Sequence, residues 1–131
     1  MTTVFVTGSR DWPSQYILDA ALKQFVEDNR NPMGWTLVNG GVGNADACAV
    51  DFWLFNNVGR YMEIPPDTYN YEEEAKLMNN INILNMDPDY VLLFVYNHSP
   101  TTTHTFQKAK KRGLNVVKHE ITESMGWGDH R

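Results

Sequence analysis

The chain has 131 residues, 42% of them hydrophobic, and 11 Lys and Arg against 16 Asp and Glu give it a formal net charge of -5. That size and composition suit one domain with its own apolar core, and the acidic balance disfavours a duplex nucleic-acid binder, whose affinity comes mainly from Lys and Arg meeting phosphates. A single cysteine excludes an internal disulfide and a Cys-rich zinc site; with no signal pattern at the N-terminus and no apolar run near the ~18 residues a membrane span needs, the expectation is a reduced, cytoplasmic protein with no membrane partner.

The first apolar run, Val4 to Thr7, is short, rich in β-branched residues and closed by Gly8, so it reads as a buried strand. Pro13-Ser14 predicts a helix start, because Pro suits the first helical position. Ile17, Ala21 and Phe25, with Leu18, Leu22 and Val26, then recur at four-residue spacing through Glu27. Asn31-Pro32 stops that helix. A second strand over Trp35 to Val38 runs into Asn39-Gly40-Gly41-Val42-Gly43-Asn44, and a helix follows from Ala45 to Asn56, closed by Gly59. Tyr61 to Ile64 is the third strand. A loop with Asp67, Tyr69 and Tyr71 leads to a helix over 71–86, broken at Asp87-Pro88-Asp89.

Tyr90 to Tyr96 is the most apolar segment and is expected to lie centrally in a sheet. The polar stretch from His98 to Thr103 precedes a helix through Phe106 and Ala109 to Gly113, a good C-cap. Asn115 to Lys118 is the last strand. Residues 1–120 thus form one α/β domain, followed by a tail over 121–131. Strands alternating with helices on short connections predict a single Rossmann-like domain: a mainly parallel sheet of about five strands with helices on both faces.

In such a sheet, ligands bind outside the carboxyl ends of the strands, near a topological switch point. Three loops leave strands for helices along that edge: Gly8 to Asp11, Gly40 to Asp46, and His98 to Thr103. Glycines let backbone amides approach a phosphate, and a helix N-terminus donates to it. Ser9, Thr101, Thr102 and Thr103 add hydroxyls, and Arg10 adds a forked positive charge. The full dinucleotide fingerprint and the Walker lysine are both absent.

Val6-Thr7-Gly8-Ser9-Arg10-Asp11-Trp12, followed by Val38-Asn39-Gly40-Gly41 with Ala45-Asp46 and Ala49, resembles the SLOG superfamily, and within it the small YspA-type proteins of bacteria and phages. The likeness continues through Ala75, Asn80, Pro88-Asp89, Val91, Phe94, Ser99, Thr102, Ala109, Gly113 and Val116, covering the chain to about residue 118. It implies a Rossmann-like sheet and a site for nucleotides or their derivatives. Members include LOG phosphoribohydrolases and DNA-binding DprA proteins. The resemblance places Arg10 at the arginine after the first strand, Gly40, Gly41 and Asp46 in the second loop, and Ser99 and Thr102 in the phosphate loop. Gly43, Asn44, Asn79 and Thr101 depart from the YspA pattern, and the LOG hydrolase signature is missing. These departures thin the positive charge around the expected phosphate.

The ligand-binding set read from the sequence is therefore Gly8, Ser9, Arg10, Gly40, Gly41, Asn44, Asp46, Asn80, Ser99, Thr101, Thr102 and Thr103. Asp46 and Glu74 are the carboxylates available to a catalytic role. Glu72 to Glu74 also read as a solvated helix start, and Asp46 as a favourable charge in a first helical turn. Trp12, Tyr69 and Tyr71 could stack on a base or pack over the core rim, and His104 could face the pocket or solvent. The histidines at 98, 104, 119 and 130 show no paired ligand spacing, so no metal is expected, and no cofactor. The reading is a binder of a nucleotide-derived ligand. Its alternative is a LOG-like phosphoribohydrolase, followed by DprA-like binding of single-stranded DNA. A homo-oligomer, dimer or larger, is compatible with the exposed aromatics.

Overall fold

The computed structural model describes residues 2–29, 34–66 and 72–123. The Asn31-Pro32 stop, Asp67, Tyr69, Tyr71 and the tail beyond Glu123, including His130, lie outside them. Among the described residues nine elements alternate: β1 (Thr2–Gly8), α1 (Gln15–Asn29), β2 (Trp35–Asn39), α2 (Asn44–Phe55), β3 (Gly59–Glu63), α3 (Glu72–Leu84), β4 (Tyr90–Tyr96), α4 (Pro100–Lys111) and β5 (Val116–Ile121). All four strand pairings are parallel, in the order β3-β2-β1-β4-β5. The protein is thus a single Rossmann-like α/β domain. The chain winds outward from β1 to β3, then returns to lay β4 on the other side of β1. That reversal is the topological switch point.

The period-2 alternation of the strands sorts the core into two layers. Val4, Val6, Trp35, Leu37, Leu92 and Phe94 face α1 and α2, where they meet Leu18, Leu22, Ala49 and Trp53. Phe5, Val38, Val91 and Leu93 face α3 and α4, where they meet Ile83, Leu84 and Ala109. Helices therefore cover both faces. β4 is buried on both sides, as its composition requires, but the middle strand is its neighbour β1.

Local chemistry moves several boundaries. α1 starts at Gln15 because the Ser14 hydroxyl accepts the Ile17 amide at 3.0 Å, so Ser14 is the cap and Pro13 stands before it. α2 does not end on Gly59. It closes at Asn56, and Asn57 turns the chain with φ 54°. Gly59 opens β3 instead, where any Cβ would overlap the Trp35 carbonyl. α4 ends as expected: Gly113, at φ 73°, returns its amide to the Lys110 carbonyl at 3.0 Å, and Leu114 returns its own to Ala109 at 3.1 Å. β5 runs on to Ile121, three residues beyond the Lys118 end expected for the last strand.

His119 lies in β5 with its ring stacked on Phe94, centroids 4.9 Å apart and planes at 13°. Burial lowers its pKa from 6.5. The unfolded chain therefore takes up this proton at a higher pH than the folded one does. His119 contributes stability above pH 6.5 that is lost as the pH falls toward its folded value. Urea unfolding followed against pH should show stability declining on acidification from that point. His119→Gln should flatten this part of the profile, and an unchanged slope would show that His119 is not its source.

Candidate anion site at the switch point

The β1–α1 and β4–α4 loops part at the switch point and leave a cleft of about 500 Å³. Arg10 and Asp11 line one wall, and Tyr96, Asn97, Ser99, Pro100 and Thr101 line the other. Lys76 reaches the floor from α3. Two cations from different elements thus share a cavity with the first turn of α4, where the helix dipole favours negative charge. Asn97 and His98 hold left-handed backbone, at φ 50° and 55°. They are fixed to the end of β5. The Asn97 amide donates to the Ile121 carbonyl at 3.0 Å, Asn97 Oδ1 accepts the Glu123 amide at 3.0 Å, and His98 Nδ1 lies 2.8 Å from Glu120 Oε2.

Beneath the cleft is a buried polar knot. Asp46, 1% exposed, accepts the Thr7 hydroxyl at 2.5 Å on one carboxylate oxygen and the Val42 amide at 3.0 Å on the other. Lys76, 4% exposed, donates to the Gly8 carbonyl at 2.7 Å and reaches the Val42 carbonyl at 3.5 Å. Burial pushes the Asp46 carboxyl above its ordinary value, and the Lys76 charge, the Thr7 hydroxyl and the Val42 and Gly40 amides pull it back. The knot ties β1, the β2–α2 loop and α3 together at one point.

The sequence-read residues divide around this arrangement. Arg10, Ser99 and Thr101 line the cleft. Gly8 is not in the lining: its carbonyl accepts Lys76 at 2.7 Å, and a Cβ there would overlap the Phe94 carbonyl and come within 2.9 Å of the Ala45 Cβ. Ser9 is structural: its hydroxyl accepts the Tyr96 amide at 2.8 Å and its own amide bonds to Phe94 at 2.9 Å, joining the ends of β1 and β4. Thr102 is buried, with its hydroxyl 3.5 Å from that of Ser99. Thr103 gives its amide to the Ser99 carbonyl at 3.0 Å and does not line the cleft.

The glycine loop serves a different purpose from the one read in the sequence. The amides of Asn44 and Ala45, which open α2, bond to the carbonyls of Arg10 and Ser9 at 2.8 and 3.4 Å. Asn44 Nδ2 holds the Trp12 carbonyl at 2.5 Å. This N-terminus is already occupied by protein. Gly43, at φ 85°, packs against the Arg10 backbone, and its Cβ would fall 2.6 Å from the Arg10 Cα. Any side chain at position 43 would push Arg10 out of place. Gly40 and Gly41 pack against Asn79 and Glu63, toward β3.

Asn80 lies between helices, donating to Thr105 at 3.0 Å. Glu74 is exposed on α3 and outside the cleft lining, and the side chains of Glu72 and Glu73 lie outside the described residues. Trp12 belongs to the core, 1% exposed and edge-on to Phe94 at 5.3 Å, while His104 is half-buried beyond the cleft. Among the lining residues, sequence reasoning missed Lys76, Tyr96 and Asn97. The signal for Lys76 was its spacing, since it stands four and seven residues before Asn80 and Ile83 on the inward stripe of α3.

The Gene 61 protein of Mycobacterium phage D29 is 30% identical to this chain over 122 residues, 89% of this chain and 95% of that protein. No family model matches the chain. No solved structure matches it either. No described helix is long and apolar enough to cross a membrane.

Replacing Asp46 by Ala removes two acceptors and strands the Lys76 charge in a buried site. Breaking one side of such an arrangement costs about 3 kcal/mol, or roughly 10 °C in thermal midpoint for a chain this long. Calorimetry of Asp46→Ala checks this, and a midpoint equal to the parent's would show that the carboxylate does not hold the loops together.

Proposed function

The chain belongs to the family of the Gene 61 protein of Mycobacterium phage D29, and for it we propose one function: the cleft beside Arg10 holds the phosphate of a nucleotide or nucleotide-derived ligand. The observation that carries this is the convergence of Arg10, Lys76, Ser99 and Thr101 on one cavity at the switch point. Arg10 supplies planar donors for phosphate oxygens. The first turn of α4 supplies the positive end of a helix dipole, with the Ser99 and Thr101 hydroxyls beside it. A volume of about 500 Å³ accommodates a mononucleotide-sized ligand. The all-parallel sheet, with this cleft at its carboxyl edge, also supports placing the chain in the SLOG superfamily.

Binding without cleavage is the better-supported form of the proposal. Hydrolysis of an N-glycosidic bond needs a carboxylate near the ribose C1′ to stabilise developing positive charge. Both Asp46 oxygens are engaged by Thr7 and Val42, and Glu74 stands outside the cleft lining. Among the described residues, Asp11 is the one carboxylate lining the cleft. The protein would then act as a sensor, carrier or sequestering protein, in a homo-oligomer or alone.

A thermal-shift panel of AMP, ADP-ribose, NAD and cyclic nucleotides tests the reading, with chromatography of each ligand after incubation. At least one ligand should raise the midpoint and be recovered unchanged. Arg10→Ala should weaken its binding by roughly tenfold or more, the value of one charge-assisted contact. Release of a free base would move the protein to the hydrolases. Unaltered affinity in Arg10→Ala would put the phosphate elsewhere.

A further inference from the structure

The formal charges at the cleft are few. Among the described residues its lining holds two cations, Arg10 and Lys76, and one carboxylate, Asp11. Lys76 is engaged below the cleft: its ammonium donates to the Gly8 and Val42 carbonyls, and its charge offsets that of the buried Asp46. Arg10 and Asp11 are chain neighbours on one wall, and Asp11 is exposed. The opposite wall is lined by neutral side chains, Tyr96, Asn97, Ser99, Pro100 and Thr101. Behind it the Tyr96 hydroxyl donates to Glu123 Oε1 at 3.2 Å, so the wall is backed by a further carboxylate.

We infer that the cleft selects a phosphate carrying one negative charge, the diester of a compact nucleoside phosphate, over the doubly charged phosphate of a nucleoside monoester, and that Asp11 sets this choice. The inference rests on the reading of the cleft as a phosphate site and narrows its ligand class. In the Born treatment, the cost of taking an ion out of water rises as the square of its charge, so a dianion needs about four times the compensation of a monoanion. The lining exceeds neutrality by one positive charge, and with Lys76 matched by Asp46 that charge is the one on Arg10.

The shape of the donor agrees with the count. The guanidinium fork meets two oxygens side by side. A diester has two oxygens that carry its charge, and a monoester has three. The Ser99 and Thr101 hydroxyls add donors without adding charge. A second negative charge on the ligand would meet Asp11 on the Arg10 wall, and like charges in a cavity repel more strongly than in bulk water. A nucleic-acid strand is also built of diesters, but it would bring its next phosphate against Asp11 and against the surface of a chain whose net charge is -5.

Isothermal titration calorimetry at about pH 8 and fixed ionic strength tests the inference with matched probes. These are the ribonucleoside 5′-monophosphates, the methyl ester of each phosphate, and the 3′,5′-cyclic monophosphates of the same bases. A phosphomonoester has its second pKa at about 6, so it is a dianion under these conditions, whereas both diesters are monoanions. For at least one base, a diester should bind roughly tenfold or more tighter than the monophosphate. Asp11→Asn should tighten the monophosphate more than the diester and narrow that ratio by roughly threefold or more. Because Asp11 is exposed, the variant should keep the parental circular-dichroism spectrum. A monophosphate that binds as tightly as its diesters would overturn the inference and leave the phosphate reading standing. So would a ratio in Asp11→Asn equal to the parent's. If no probe of any kind binds, the phosphate reading fails and this inference falls with it.

Discussion

The buried carboxylate of Asp46 is the constraint from which the carboxyl edge of the sheet follows. Taking Asp46 and Lys76 out of water costs several kcal/mol for each ion unless hydrogen bonds and opposite charge offset it. Here the offset comes from Thr7 at the end of β1, Val42 in the next loop, and the carbonyls that receive Lys76. The groups come from three separate stretches of chain: Thr7 and Gly8 at the end of β1, Val42 and Asp46 in and after the glycine loop, and Lys76 on α3. Each is satisfied only when β1, the glycine loop and α3 have all assembled, so the knot fixes their relative positions. The loops could not drift apart without leaving a charge buried and unmatched.

That constraint decides where an anion can go. Once Asp46 draws the glycine loop inward, the opening amides of α2 fall on the carbonyls of Ser9 and Arg10. A phosphate there would compete with protein acceptors already in place. The cleft opens instead between the β1–α1 and β4–α4 loops, the second of which is tied to the end of β5 through Asn97 and His98. The cleft is thus a product of topology, while its charge is a product of two side chains placed by different elements.

The fold was legible because it rests on local regularities. Buried β-branched runs, helical stripes and turn residues alternate with little ambiguity, and β4 was read with its observed bounds. Boundaries failed where a side chain or a neighbouring strand intervened, as with Ser14 capping α1 and Gly59 fitting against Trp35. The site was only partly legible. Arg10 and Ser99 stand in loops, and Thr101 in the first turn of α4, whose positions follow from strand order. Ser9 and Asn80 look like ligand donors in one dimension but spend their polar groups on β4 and α4. Lys76 was hidden for the opposite reason. A lysine in a polar helix reads as solvated, and only the tertiary placement of α3 carries its ammonium to the Gly8 carbonyl at the end of β1, beneath the cleft.

The net charge of -5 and a cationic cleft are compatible because they act over different distances. At physiological ionic strength the field of the distant carboxylates is largely screened beyond about 8 Å. A small anion seated between Arg10 and the first turn of α4 is governed by contacts shorter than that, made in a cavity where water competes less well. A long polyanion differs, since its neighbouring phosphates must lie along the surface and meet the acidic exterior directly. Asp11, on the same wall as Arg10, sharpens the distinction by opposing a second phosphate close to the first. On the proposed reading, the charge arrangement would favour one compact phosphate-bearing ligand over a nucleic-acid strand, with repulsion outside the cleft counting as much as attraction within it.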